Sequence, residues 1–167
     1  MKRHSKWAAV ILGVILLFVL ILGSNVFSSH AKNWKLPTGT GRAAVAIGNN
    51  HGVILASDGS LWTWGETGDG WHVLGLGSNV RTQACLRRIG LETNWVNIAV
   101  GGSSTLALKS DGTIWAWGAN YHGQLGDGSM AADQATPVRS VPGTDWKQVA
   151  TSGVHTVALK RDGTLWS

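Results

Sequence analysis

The sequence predicts an all-β chain: a partial β-propeller of about two and a half blades behind one amino-terminal hydrophobic helix. Three observations carry this: a repeat of about 50 residues, an Asp-Gly pair between apolar stretches in every copy, and an apolar run behind a basic cluster. Composition agrees. The 167 residues include 23 Gly and 10 Trp and are only 14% charged, against about 25% in an average globular chain. So much glycine excludes a long coiled coil, and so much tryptophan excludes an acidic disordered tail. The one cysteine, Cys85, excludes an intramolecular disulfide framework and a multi-cysteine zinc site, and reads as a packed or loop thiol.

At the amino terminus, Lys2, Arg3 and Lys6 precede Trp7 to Gly23, a run without a charged group. As a helix it spans roughly 25 Å, a little less than the roughly 30 Å hydrocarbon layer. Positive charge ahead of such a run keeps the amino terminus cytoplasmic and sends the rest across the membrane. Residues 1–23 therefore read as a basic region and a signal or anchor helix, which holds the membrane through residues 7–23 if uncleaved. Ser29 and Ala31 are spaced as a signal peptidase site, which would release a chain beginning at Lys32. Two localisations stay open: a single-pass cell-membrane protein with a cytoplasmic amino terminus, or a protein secreted after cleavage near Ala31. Residues 24–43 read as a linker and 44–167 as the repeats, the last blade incomplete.

Aligned on their Asp-Gly pairs, HGVILASDGSLWTWG (His51–Gly65), STLALKSDGTIWAWG (Ser104–Gly118) and HTVALKRDGTLWS (His155–Ser167) are copies of one unit. Asp58 and Asp111 are 53 residues apart, and Asp111 and Asp162 are 51 apart. The pairs Asp58-Gly59, Asp111-Gly112 and Asp162-Gly163 predict two-residue hairpin turns. In that register Leu108 faces Trp115 and Leu106 faces Trp117, leaving Ala107, Ile114 and Ala116 on the other side. It likewise sets Leu55 against Trp62, Val53 against Trp64 and Leu159 against Trp166. Trp62, Trp64, Trp115, Trp117 and Trp166 are then the blade core. Both faces are apolar, so each sheet is expected between two neighbours, as blades are around an axis. Val96–Val100 and Thr136–Val141 read as further strands, about four per unit. The polar, glycine-rich stretches Glu66–Ser78 and Ala119–Thr136 read as surface loops. Closed propellers need four to eight blades, so the expectation is the front portion of a longer exported protein or a truncated reading frame, with assembly of several short chains into a ring as the alternative.

The core ALKSDGTIWAWGANYHGQLGDG (Ala107–Gly128) resembles a repeat of the regulator of chromosome condensation (RCC1-type) family, and the similarity spans roughly residues 44–167. The first copy departs from it, because Gly65–Ser78 lacks the Asn-x-x-Gly-Gln-Leu-Gly string. The resemblance implies a propeller, usually of seven four-stranded blades. It also implies, as the alternative activity, guanine-nucleotide exchange on a small GTPase. In that family exchange depends on a wedge and loops in blades that this chain does not contain, so no exchange residue carries over.

Motifs for chemistry are absent. There is no phosphate-binding Gly-x-x-x-x-Gly-Lys-Ser/Thr loop, no His-Glu-x-x-His and no Gly-x-Ser-x-Gly. His51 and His155 share a repeat position filled by Ser104 in the middle copy, which suits a hydrogen bond that stabilises blades. Arg87-Arg88 reads as a solvated pair. Of the 14 basic residues, three precede the apolar run, leaving 11 against 9 acidic residues, so no nucleic acid is expected as partner. The expected function is a non-catalytic protein-interaction scaffold, displayed on or secreted across a membrane, without enzyme activity, cofactor or metal. Its partner is an unknown protein, and Trp71, Tyr121 and His122 in the loops are the candidate contacts.

Overall fold

The structure, a computed structural model, describes residues 35–68, 70–130 and 133–167. The apolar run 7–23 and the cleavage site near Ala31 lie outside the described residues. Among the described residues no helix is long and apolar enough to cross a membrane. The repeats form the unit Leu36–Ser167. Strands β1 (Ala44–Ile47), β2 (His51–Leu55), β3 (Leu61–Glu66) and β4 (Thr82–Ile89) make the first antiparallel sheet, paired in chain order. The second sheet is β5 (Trp95–Val100), β6 (Ser104–Lys109), β7 (Ile114–Gly118) and β8 (Gln134–Arg139). The third is β9 (Trp146–Ser152), β10 (His155–Lys160) and β11 (Leu165–Trp166), with β11 at its edge.

The hairpin turns differ from the expected two-residue form. Lys109 N donates to Thr113 O at 3.0 Å and Gly112 N donates to Lys109 O at 3.0 Å. Three residues, Ser110-Asp111-Gly112, therefore make the turn, with the positive φ of 78° on the glycine alone. This is a type I turn closed by a glycine bulge. The extra residue slips the register by one, and a one-residue slip exchanges faces. Leu106 is opposite Ala116 and Leu108 opposite Ile114, while Ala107 is opposite Trp115 and Thr105 opposite Trp117. The same correction sets Ile54 against Trp62, Gly52 against Trp64 and Ala158 against Trp166.

Each complete blade thus has an aliphatic face and an indole face, and the two kinds meet between blades. Val53, Leu55 and Leu61 of the first blade pack with Trp95, Ala107 and Trp117 of the second. Leu106, Leu108, Ile114 and Ala116 pack with Trp146, Val149 and Ala158 of the third. Trp117 is fully buried, and Trp95 and Trp146, which open their blades, are each 3% exposed. Trp62, Trp64 and Trp115 are half-buried. Trp166, expected in the core, is 54% exposed, on the edge strand β11, which among the described residues has no strand paired on its outer side.

The turns are braced by a repeated relay. Asp111 Oδ1 accepts from Thr113 N (2.9 Å) and Thr113 Oγ1 (2.6 Å), and that hydroxyl oxygen accepts from Trp115 Nε1 at 3.0 Å. Asp58, Ser60 and Trp62 repeat it in the first blade, and Asp162, Thr164 and Trp166 in the third. The physical content of Asp-Gly-Ser/Thr-x-Trp is therefore a carboxylate that fixes a hydroxyl, which in turn fixes an indole.

Candidate functional site

Strand direction gives the blades two unlike ends. The Asp-Gly turns and the connections 90–94 and 140–145 lie at one end. At the other lie the β1–β2, β5–β6 and β9–β10 turns together with the long loops that follow β3 and β7. This loop-bearing end is the candidate site. Its inner turns and outgoing strands are stitched together: Glu66 N donates to Asn50 O at 2.9 Å, and Ala119 N to Ser103 O at 2.8 Å. That approach requires glycine at Gly65 and Gly118, where a Cβ would meet those carbonyl oxygens at 2.2 and 2.5 Å. Between the inner turns lies an open hollow of about 310 Å³, walled by Ile47 to Asn49, Val100 to Gly102 and Thr151 to Gly153.

The two loops, expected at the surface, each bury a spine against the following blade. In the first, Val73 and Leu74 are buried, and Val73 O accepts from Trp117 Nε1 at 2.9 Å. Gly77 N donates to Ala135 O at 2.9 Å, and His72 Nδ1 lies 2.7 Å from Asp133 Oδ2. His72 has a φ of 50°, the one positive value off glycine among the described residues; such a conformation persists where its surroundings hold it. In the second loop Asn120 and Leu125 are fully buried. Asn120 Oδ1 accepts from Leu125 N at 3.1 Å, and its Nδ2 donates to Asp127 Oδ1 at 3.2 Å and Ser129 Oγ at 3.1 Å. Ser140 Oγ donates to Leu125 O, and Thr156 Oγ1 of the third blade donates to Gln124 O at 2.7 Å. Composition conceals this rigidity. Asp127-Gly128-Ser129 repeats the turn relay inside a loop, Asp127 Oδ1 accepting from Ser129 N at 2.9 Å.

The candidate contacts share this end but differ in access. Trp71 is half-buried, with its backbone N donating to Thr67 O at 3.4 Å. Tyr121 is 57% exposed and His122 is exposed, its backbone N donating to Gln124 Oε1 at 2.9 Å. Met130, which sequence reasoning passed over, is 78% exposed on the same loop. His51 is buried between blades, where its Nε2 lies 2.9 Å from Thr105 Oγ1. Burial lowers its pKa to about 4, so the ring is neutral at pH 7. His155 is exposed.

The turn aspartates sit at the opposite end, each engaged with its own turn. The Thr113 hydroxyl and then the Thr113 N–H hold Asp111 below the usual carboxylate range. For Asp58, burial pushes upward, but the Ser60 hydroxyl and N–H and the Arg88 charge prevail and the pKa is lowered. For Asp162 the Thr164 N–H and hydroxyl lower it. Carboxylates this well satisfied are poised to brace turns. General acid–base work needs a pKa nearer the working pH.

Comparison with known proteins agrees with this architecture. Two family models described as the regulator of chromosome condensation (RCC1) repeat match the chain, one at residues 111–159 and the other at 43–70 and 95–124. The Arabidopsis thaliana protein "RCC1 domain-containing protein RUG3, mitochondrial" is 32% identical over 131 residues, covering 75% of this chain and 29% of that protein. The Homo sapiens "E3 ubiquitin-protein ligase HERC2" is 36% identical over 123 residues, covering 72% of this chain and 2% of that protein. The chain therefore spans less than a third of these curated relatives. Among solved structures, human WBSCR16 has a TM-score of 0.66 at 21% identity, covering 86% of this chain and 37% of that one. Yeast RCC1 (Prp20), solved bound to Kap60, has a TM-score of 0.61 at 22% identity, covering 73% and 30%. With its repeats, blade order and turn relay accounted for, the chain belongs to the RCC1 repeat family of β-propeller proteins.

Proposed function

We propose that the chain is a non-catalytic protein-interaction scaffold that binds a protein partner through its loop-bearing end. One observation carries the reading: backbone and side-chain hydrogen bonds tie both loops to the next blade, while the tip of the second presents Tyr121, His122 and Met130 outward. A rigid platform with exposed large side chains binds at low ordering cost. Similar proteins support a protein partner, since yeast RCC1 (Prp20) is bound to Kap60 in one structure and Prp20p has binding properties to Gsp1p and histones. We further propose that residues 1–23 direct export, with 7–23 as a membrane anchor or a signal cleaved near Ala31, residues 24–43 as linker and 44–167 as the exposed scaffold.

The test places a photo-crosslinking residue at Tyr121, and separately at Leu91, which is 87% exposed at the other end, in the full chain in its own cells. The reading expects one protein to be captured from Tyr121 and not from Leu91, and expects His122→Ala to weaken the capture. Equal capture from both positions overturns it. So does stimulated nucleotide release from a small GTPase at catalytic amounts of the chain, which is the alternative activity.

A further inference from the structure

The sequence holds five Asp-Gly pairs, at Asp58, Asp69, Asp111, Asp127 and Asp162. Glycine has no side chain to hinder its own nitrogen, so at each pair the aspartyl carboxyl can close on the backbone. Closure needs a glycine N–H free of other partners and room for the ring. In the blade turns both are withheld. Gly59 N donates to Ala56 O at 2.9 Å, Gly112 N to Lys109 O at 3.0 Å and Gly163 N to Lys160 O at 3.2 Å. In the first loop Gly70 N donates to Thr67 O at 3.3 Å. The carbonyls of Gly59 and Gly112 are held as well, by Trp95 N and Trp146 N of the next blade. A Cβ at either glycine would stand 2.0 Å from a carbonyl oxygen of the following connection.

Asp127-Gly128 has the same local chemistry without these restraints. Asp127 Oδ1 accepts from Ser129 N at 2.9 Å and Ser129 Oγ at 2.8 Å, as Asp111 accepts from Thr113. Gly128 has a φ of 78°, the value at Gly112. Burial pushes the Asp127 carboxyl upward, yet the Ser129 N–H and hydroxyl and the Asn120 amide prevail and hold it below the ordinary range. The blade-turn aspartates are lowered too. Neither backbone shape nor ionisation therefore separates the pairs. The glycine amide does. Gly128 N has no hydrogen-bond partner among the described residues, the glycine is exposed, and nothing lies within 4 Å of where its Cβ would stand.

We propose that Asp127 is a site of spontaneous covalent modification, where the chain rearranges to isoaspartate while the blade turns are spared. Gly128 N attacks Cγ of the protonated Asp127 carboxyl. The new N–C bond replaces the Cγ–OH bond, and the hydroxyl leaves with the amide proton as water. Water then adds to the α-carbonyl of the five-membered imide and breaks the original bond from Asp127 C to Gly128 N. The main chain now runs through the side-chain carbonyl and the α-carboxylate is free, with mass and oxidation state unchanged. The product no longer offers Oδ1 to Ser129 N or to Asn120 Nδ2, which donates to it at 3.2 Å. The network that holds the second loop is slackened from within.

The test ages the full chain at body temperature and neutral pH, with a urea-unfolded sample alongside. Both are digested, and isoaspartate at each pair is read by electron-transfer fragmentation in a mass spectrometer. In the folded chain isoaspartate should form at Asp127 at least about fivefold faster than at Asp58 or Asp111, the factor set by one hydrogen bond that must break first. In urea the three should react at similar rates, since Ser or Gly precedes each pair and Ser or Thr follows it. Equal rates in the folded chain overturn the proposal. So does an excess at Asp127 that persists in urea, because it would come from the neighbouring residues and not from the fold. A folded chain whose Asp127 stays unmodified while the urea sample reacts does the same.

Discussion

Gly112→Ala and Gly163→Ala form a matched pair that measures how strongly the blades interlock at their turns. Both glycines adopt the left-handed region, with φ of 78° and 91°. An alanine there costs about 1–2 kcal/mol at either site. Only at Gly112 would the new Cβ fall 2.0 Å from Thr144 O. Backbone must then move, which costs about 1–3 kcal/mol as overpacking does. The Trp146 N to Gly112 O bond of 3.3 Å weakens with it, costing about 1 kcal/mol. Gly112→Ala should therefore destabilise by about 4 kcal/mol and Gly163→Ala by about 1–2 kcal/mol. Gly59→Ala, with φ of 83° and Thr93 O also 2.0 Å away, should match Gly112→Ala. The assay is urea unfolding, read as a change of midpoint at constant slope. Costs at Gly112 and Gly163 that agree within about 0.5 kcal/mol would refute interlocking at the turns.

Other perturbations follow from the same geometry. His51 has a folded pKa of about 4 against 6.5 unfolded, so the unfolded chain binds more protons between those values. Stability is then full above about pH 6.5 and falls by about 3 kcal/mol as pH drops towards 4. A His51→Gln variant should lose that part of the pH dependence, and an unchanged profile by thermal unfolding would contradict it. Thr113→Val removes the hydroxyl shared by Asp111 and Trp115 and should cost about 1–2 kcal/mol. NMR titration should then show the Asp111 pKa rising towards the ordinary carboxylate value, because that hydroxyl is the largest cause of its depression. Leu125→Ala empties a fully buried site and should cost about 2–4 kcal/mol, with hydrogen exchange accelerated in residues 120–129 as well as in β10.

Period and punctuation made the blades legible. A copy every 51 to 53 residues, each with apolar strands around Asp-Gly, leaves few architectures besides stacked hairpins. The register was not legible, because Asp-Gly serves a two-residue turn and a three-residue turn with a glycine bulge equally well. Asp111 decides between them only through contacts with Thr113 N and Oγ1, and these exist once the turn has formed. Apolar patterning offered no help, since both faces of β6 and β7 are dry and a slip exposes nothing. The loops misled for a related reason. Leu125 and Asn120 are fully buried amid glycine and polar residues, so composition reads as surface while the hydrogen bonds make an interior. Exposure of Tyr121 and His122 was inferable from that polarity; the held left-handed conformation of His72 was not.

Near-identical repeats face an assembly problem, since their greasy faces would accept any neighbour. Here the polar contacts differ from one interface to the next. The first interface joins His51 to Thr105, and the second joins Thr156 to the Gln124 carbonyl. Apolar burial thus drives the blades together without choosing among them, and a few hydrogen-bonding side chains that break the repeat set the order. His51→Ser should therefore cost about 1–3 kcal/mol, because it leaves the buried Thr105 hydroxyl without its partner across the blades, whereas Ser104→Ala should cost little, since the Ser104 hydroxyl has no partner among the described residues. Equal costs on urea unfolding would mean that the loops alone determine which blade follows which.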